Sequence, residues 1–160
     1  MIYVECNPDE ILAKVLGFPR QQIIHAFGRG NICNKLEKTN NTIGLVDEDP
    51  QSAQSKYLRG LKLQKQGNGI KIWQDAKRGN FVVMLCPNLE GWVVRIAKED
   101  KLDLTKYRLP NDVGKLHGKI NLQSEKFEKF LVEALPVSAC LKNLQRILIG
   151  SAKGSWTPTF

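Results

Sequence analysis

The chain has 160 residues, 42% hydrophobic and 25% charged, with 24 Lys and Arg against 16 Asp and Glu for a formal net charge of +8. This balance excludes disordered and fibrous classes, and the length suits one domain whose core needs no covalent staples. The cationic surplus points to a polyanion, nucleic acid before a membrane surface.

No charged leader precedes a hydrophobic region, and no apolar run approaches the roughly 20 residues that span a bilayer, so a cytoplasmic protein without membrane contact is expected. Cys6, Cys33, Cys86 and Cys140 lack the paired spacing of structural zinc and read as reduced, mostly buried thiols.

Residues 1–5 read as a strand. Asn7 is a candidate cap and Pro8 a first-turn residue for a helix carrying Ile11, Leu12, Val15 and Leu16 up to Gly17. Residues 22–27 form a second strand, which turns through Gly28-Arg29-Gly30-Asn31 into a short helix ending near Lys38. After the Asn40-Asn41 turn, residues 42–46 form a third strand. This alternation predicts right-handed crossovers and a parallel sheet flanked by helices, with function gathered beyond the carboxyl ends of the strands.

From 51 to 80 the chain is polar and basic. Lys56, Arg59, Lys62 and Lys65 recur three apart, which predicts a helical stretch, then a loop and a short strand around Ile70 to Trp73. Residues 81–86 are a clearer strand, followed by a helix that Asn88 can cap. Residues 103–121 read as an irregular connection. Two helices follow, over 124–135 and 138–149, each opened by a serine, and 151–160 reads as a loose tail. The expected division is a first unit over 1–100 and a helical extension over 101–160, packed on the same domain.

The acids mark the strand ends. Glu5 closes the first strand, Asp47, Glu48 and Asp49 end the third, and Glu90 follows the fourth. In a parallel sheet with strands about 4.8 Å apart these groups share one edge, and alternation along an extended segment sets Asp47 and Asp49 against Glu48. Carboxylate oxygens gathered from several segments suit magnesium, which keeps waters and completes its shell with phosphate. The simpler alternative for each is local: a solvated strand-to-turn junction for 46–50, and helix-start acids for Asp9 and Glu90.

"VECNPD" at 4–9, "FGRGN" at 27–31 and "VDEDP" at 46–50 resemble the three motifs of the topoisomerase-primase (TOPRIM) family. The resemblance covers about the first half of the chain and is similar to small stand-alone bacterial members and to the nuclease domain of overcoming-lysogenisation-defect enzymes. It implies a TOPRIM-like fold and a magnesium- or manganese-dependent nuclease, or related phosphoryl-transfer enzyme, acting on DNA or RNA. Glu5 is then the catalytic acid or base, with Asp47 and Asp49 as metal ligands; Glu90 joins the set from its place after the fourth strand, not from the resemblance. Some members act beside ATPases in phage defence, which implies an ATPase partner. Cys6 and Ser52 stand where glycine is frequent in the family.

Gly28 and Gly30 form a turn whose free N–H groups suit a phosphate. Lys56, Arg59 and Lys62, interleaved with Tyr57 and Trp73, are the candidate nucleic-acid contacts, the alternative being a solvated face. His25, inside an apolar strand, reads as a core histidine. Two other functional classes stand beside the enzyme: a catalytically silent adaptor that docks on a larger ATPase or toxin through the late helices, and a switch of the response-regulator type.

Overall fold

The computed structural model describes residues 1–154. Its elements are β1 (Ile2–Val4), α1 (Asn7–Val15), β2 (Ile23–His25), α2 (Arg29–Leu36), β3 (Ile43–Asp47), the single turn α3 (Lys56–Arg59), β4 (Lys62–Gly67), β5 (Ile70–Asp75), β6 (Asn80–Leu85), α4 (Leu89–Glu99), α5 (Val113–Leu122), α6 (Ser124–Ala134) and α7 (Ala139–Ala152). The strands form one sheet of order β2-β1-β3-β6-β5-β4. The protein is therefore α/β, with a six-stranded sheet flanked by helices.

The sheet is mixed rather than parallel. β2, β1, β3 and β6 run parallel, but β5 is antiparallel to both β6 and β4. The cause is a tight hairpin: Gly67 pairs with Ile70 across Asn68 (φ 52°) and Gly69 (φ 70°). Two successive positive φ values define the turn whose twist matches paired strands, and Asn-Gly is its preferred sequence. The basic segment accordingly has one helical turn, and Lys62 and Lys65 lie on β4 instead of continuing a helix.

Period-two burial divides the core into two faces. Ile2, Val4, Leu45, Val83 and Leu85 pack in a cluster with Leu12 of α1, Trp92 of α4, Ile120 of α5, Phe127 and Phe130 of α6, and Leu144 of α7. The late helices thus share the core of the first hundred residues. On the opposite face Tyr3, Val46, Val82 and Met84 meet Ile32 and Leu36 of α2 and Leu58 of α3. Gly44 brings α2 close to β3, because a Cβ there would stand 2.8 Å from Ile32 Cγ2 and 3.1 Å from Leu36 Cδ1.

Several local expectations change. Cys6, not Asn7, caps α1, and its backbone N–H donates to Asp9 Oδ2. Ser124 is the first residue of α6 rather than its cap, whereas Ser138 Oγ accepts from Leu141 N and caps α7. Residues 103–121 contain a 3-10 turn at Leu104–Tyr107 and most of α5, so they are not irregular. Ser151 and Ala152 complete α7, and the rest of the expected tail beyond residue 154 lies outside the described residues. Cys33 is buried and the other three cysteines are only half-buried. Among the described residues no helix is long and apolar enough to cross a membrane.

Asn88 caps α4, its Oδ1 accepting from Gly91 N at 2.8 Å. Asn88→Ala is expected to cost about 1 kcal/mol, read as a fall of roughly 2–4 °C in Tm. An unchanged melting curve would remove the cap from the account of how Glu90 is held.

Candidate functional site: an acidic cluster at a strand switch point

The chain enters the sheet at β1, moves outward to β2, then reverses past β1 to β3. Right-handed crossovers put α1 and α2 on opposite faces, so a crevice opens between the carboxyl ends of β1 and β3. In open α/β sheets ligands bind at such a switch point. Glu5 follows β1 and Asp47 ends β3, so the two acids flank this crevice.

Glu5 Oε1 accepts from Asp47 N at 2.8 Å, and Asp47 Oδ1 accepts from Leu89 N at 2.8 Å. Each carboxylate therefore stitches its strand end to the next segment. Glu48 diverges and ion-pairs with Lys71 of β5, which holds its carboxyl below the usual range. Asp49 is exposed at φ 41°, its N–H bonded to Pro87 O, so the extended run ends before it. Alternation therefore separates Glu48 from Asp47, but it does not carry through to Asp49.

Burial dominates the titration of the cluster. It pushes Asp47 up to about 8, with the charges of Asp9, Glu5 and Glu90 adding to the effect and the Leu89 amide opposing it. It pushes Asp9 up to about 7 against the hydrogen bonds from Cys6, with Glu5 and Glu90 again adding. Glu5 is raised by burial and by Asp49, and pulled back by the backbone N–H groups of Asp47 and Arg29 and by the Arg29 charge. The acids thus act on one another across four segments, as carboxylates sharing a low-dielectric site must.

Arg29, at the first turn of α2, is the cation of the crevice. Its guanidinium donates to the carbonyls of Asp47 (3.2 Å), Glu48 and Ala53 (3.4 Å), fixing the acidic loop by its backbone. Glu90, 5% exposed, pairs with His117 of α5, whose Nδ1 stands 2.7 Å from Glu90 Oε1. His25 is half-buried, and its Nε2 donates to the carbonyl of Glu5 at 2.9 Å.

The other candidate residues lie in two places. Gly28 caps α2 at φ 115°, a conformation that side chains rarely adopt, and a Cβ at Gly28 or Gly30 would meet nothing within 4 Å. Both open on the carboxyl edge. Gly30→Ala is expected to leave Tm level or raise it, since alanine suits a helix better by about 1 kcal/mol; a fall in Tm would show that packing, not open space, selects this glycine.

Lys56, Arg59 and Lys62 are exposed but do not converge with the acids. Lys62 pairs with Gln74, beside the Asp75–Asn80 pair, at the amino end of β6, whereas Asp47 pairs with Leu85 at its carboxyl end. Gln74 pairs with Phe81, so the two levels are four strand positions apart, roughly 13 Å. Tyr57 and Trp73 are half-buried against the second core face, and Tyr57 OH donates to Asp75 Oδ2, so neither is a free stacking surface.

Arg29, His117 and Asp9 are the members of the site that sequence reasoning left out or undervalued. The sequence marks Arg29 only as the cation of the glycine turn and Asp9 only as an acid at a helix start. No signal in the sequence ties His117 to Glu90.

The donor set decides whether magnesium or manganese could fit here. Among the described residues no three His, Cys, Asp or Glu side chains are grouped to hold a metal ion. Magnesium commonly takes one or two carboxylates and fills its shell with water and phosphate. Asp47 at the end of β3 and the exposed Asp49 two residues on can supply one or two such carboxylates; burial first, and the charges of Asp9, Glu5 and Glu90 after it, raise the Asp47 carboxyl, and a cation would relieve the part due to charge. Fold and site together define an α/β protein with an acidic cluster at a strand switch point. No family model, curated protein or solved structure matches the chain.

Proposed function

We propose that the chain is a TOPRIM-like phosphoryl-transfer enzyme, a magnesium- or manganese-dependent nuclease acting on DNA or RNA. The observation that carries this reading is the gathering of Glu5, Asp9 and Asp47 at the β1/β3 crevice, where burial first, and neighbouring carboxylates after it, raise all three beside the Arg29 cation. A bound divalent cation would neutralise charge on the phosphodiester and polarise it. Glu5 takes the proton of the attacking water. Its elevated pKa makes it a stronger base nearer neutral pH, and the Asp47 amide holds its orientation. Asp47 and Asp49 would hold the cation, with water and phosphate filling its shell, and Glu90, paired with His117, would add negative charge beside Asp47. Arg29 keeps the acidic loop in register by its backbone bonds.

The test is a titration of MgCl2 or MnCl2 against Tm. At a free concentration about ten times Kd the gain is about 1.4 kcal/mol, or roughly 3–6 °C. Asp47→Asn with Asp49→Asn is expected to abolish it. A parent protein indifferent to both metals, or a double variant that keeps the shift, would overturn the assignment.

A second reading, the silent adaptor with an ATPase or toxin partner, is favoured by a different observation. Leu122, at the end of α5, is 85% exposed beside a cavity also lined by Leu109 and Pro110 and rimmed by Arg108, Lys115 and Lys119. An adaptor needs no metal, so the same titration separates the two.

A further inference from the structure

We propose that the cleft between β2 and α2 binds an unpaired nucleobase of a single strand, stacked on Phe27, with flanking phosphates held by Lys35 and Lys38. The choice of a nucleic-acid strand as occupant rests on the function proposed above; the geometry of the cleft is independent of it.

Phe27 is 77% exposed, and its φ of 58° lies in a region that bulky side chains avoid. A solvent-facing ring in such a conformation needs support, and it has two supports. Its ring stacks on His25, centroids 4.2 Å apart and planes 18° from parallel. Its carbonyl accepts from Asn31 Nδ2 at 3.1 Å. The imidazole is itself fixed, because a carbonyl can only accept, so Nε2 carries the proton it gives to Glu5 O. The ring is thus a rigid platform, propped from one side and wet on the rest.

Beside it lies a cleft of about 540 Å³ lined by His25, Phe27, Asn31, Asn34, Lys35 and Lys38. Positions 31, 34, 35 and 38 follow the spacing of one helix face. Asparagines can meet the edges of a base, and ammonium groups can meet phosphates. Among the described residues neither lysine forms an ion pair with a carboxylate; Lys35 only overlies the Tyr3 ring at 5.9 Å. Ala26 and the Phe27 ring give the cleft an apolar wall, and Asn31, Asn34, Lys35 and Lys38 give it a polar and cationic one, a pairing that an apolar peptide side chain would leave half unused. A ring with neighbouring amides and unpaired cations suits a base with its phosphates. His25 on the wall of the cleft is one hydrogen bond from the backbone carbonyl of Glu5, so the cleft adjoins the acidic crevice, whereas Lys62 stands toward the amino end of β6.

The experiment measures binding in EDTA at low salt, where the acidic site is silent, with labelled oligothymidylate of about 12 nucleotides, the matching duplex and an aspartate-rich peptide. The parent is expected to bind the single strand best. Phe27→Ala should weaken that binding roughly 5- to 100-fold, and Phe27→Trp should retain it. Lys35→Glu with Lys38→Glu should weaken it and flatten its salt dependence. If circular dichroism shows Phe27→Ala misfolded, Phe27→Leu keeps bulk while removing the ring and reads the same loss. Equal affinity of the parent and the ring-deleted variants overturns the proposal, as does absence of single-strand binding by the parent, a preference for duplex, or Phe27-dependent capture of the peptide alone. Phe27-dependent binding by a protein that cleaves nothing keeps the cleft and removes the nuclease reading. Cleavage without Phe27 dependence in binding does the reverse.

Discussion

Glu5→Gln is expected to lower metal-dependent cleavage by about 10²–10⁴-fold, the usual contribution of a positioned acid or base, while leaving the fold intact. Glutamine keeps an acceptor for the Asp47 amide, which Glu5 Oε1 now satisfies at 2.8 Å, so the tie between β1 and β3 survives. What it loses is the base. The metal-dependent rise in Tm should remain, because Asp47 and Asp49 are unchanged. The parent should also show a rate that climbs with pH as Glu5 sheds its proton, from a pKa that burial raises above the ordinary carboxylate value. That limb should vanish in the variant. Assays on plasmid, single-stranded DNA and structured RNA with manganese decide the matter. Equal cleavage by both proteins removes Glu5 from the chemistry, and loss of cleavage together with loss of the metal response makes Glu5 part of the metal site instead.

The part of this site that is legible in the sequence is the part that topology enforces. Glu5 and Asp47 end strands, and alternating strands and helices bring strand ends to one edge, so their convergence follows from order along the chain. Asp49 was harder. Alternation holds only while the backbone is extended, and Asp49 sits at φ 41°. Lys71 and His117 show the larger limit: each pairs with an acid on another element, Glu48 or Glu90, at a separation that no local pattern encodes. The basic segment departs from its expected helix for a different reason. A spacing of three suggests a helix, but Asn68-Gly69 is a hairpin signal, and the turn it makes folds Lys62 away from the acids. Short-range turn chemistry outweighed a weak period, because a three-residue charge repeat buries nothing and so constrains nothing.

The same burial that makes the acids reactive costs the metal-free protein stability, and Asp9 is where that cost is most open to measurement. Asp9 is 2% exposed, with Oδ2 accepting from both the backbone N–H and the thiol of Cys6 at 3.1 Å. Burial raises it to about 7, the charges of Glu5 and Glu90 adding to the effect, against about 3.9 for an unfolded aspartate. A folded pKa above the unfolded one means that the neutral carboxyl favours the fold. Its contribution is complete below about pH 4 and is lost as pH rises through about 7. Asp47, raised to about 8, extends the decline in the same direction. Stability of the metal-free protein from these groups should therefore fall between about pH 4 and pH 8. Asn at position 9 keeps an acceptor for Cys6 but has no charge to bury. Asp9→Asn should consequently gain on the parent as pH rises, by on the order of 3 kcal/mol between about pH 4.5 and pH 8, or roughly 6–12 °C in Tm. Thermal melts of both proteins in EDTA across that range read the gap directly. A gap that stays constant with pH would show that Asp9 does not titrate across this range, and a gap that closes as pH rises would reverse the sign and place a compensating cation beside it.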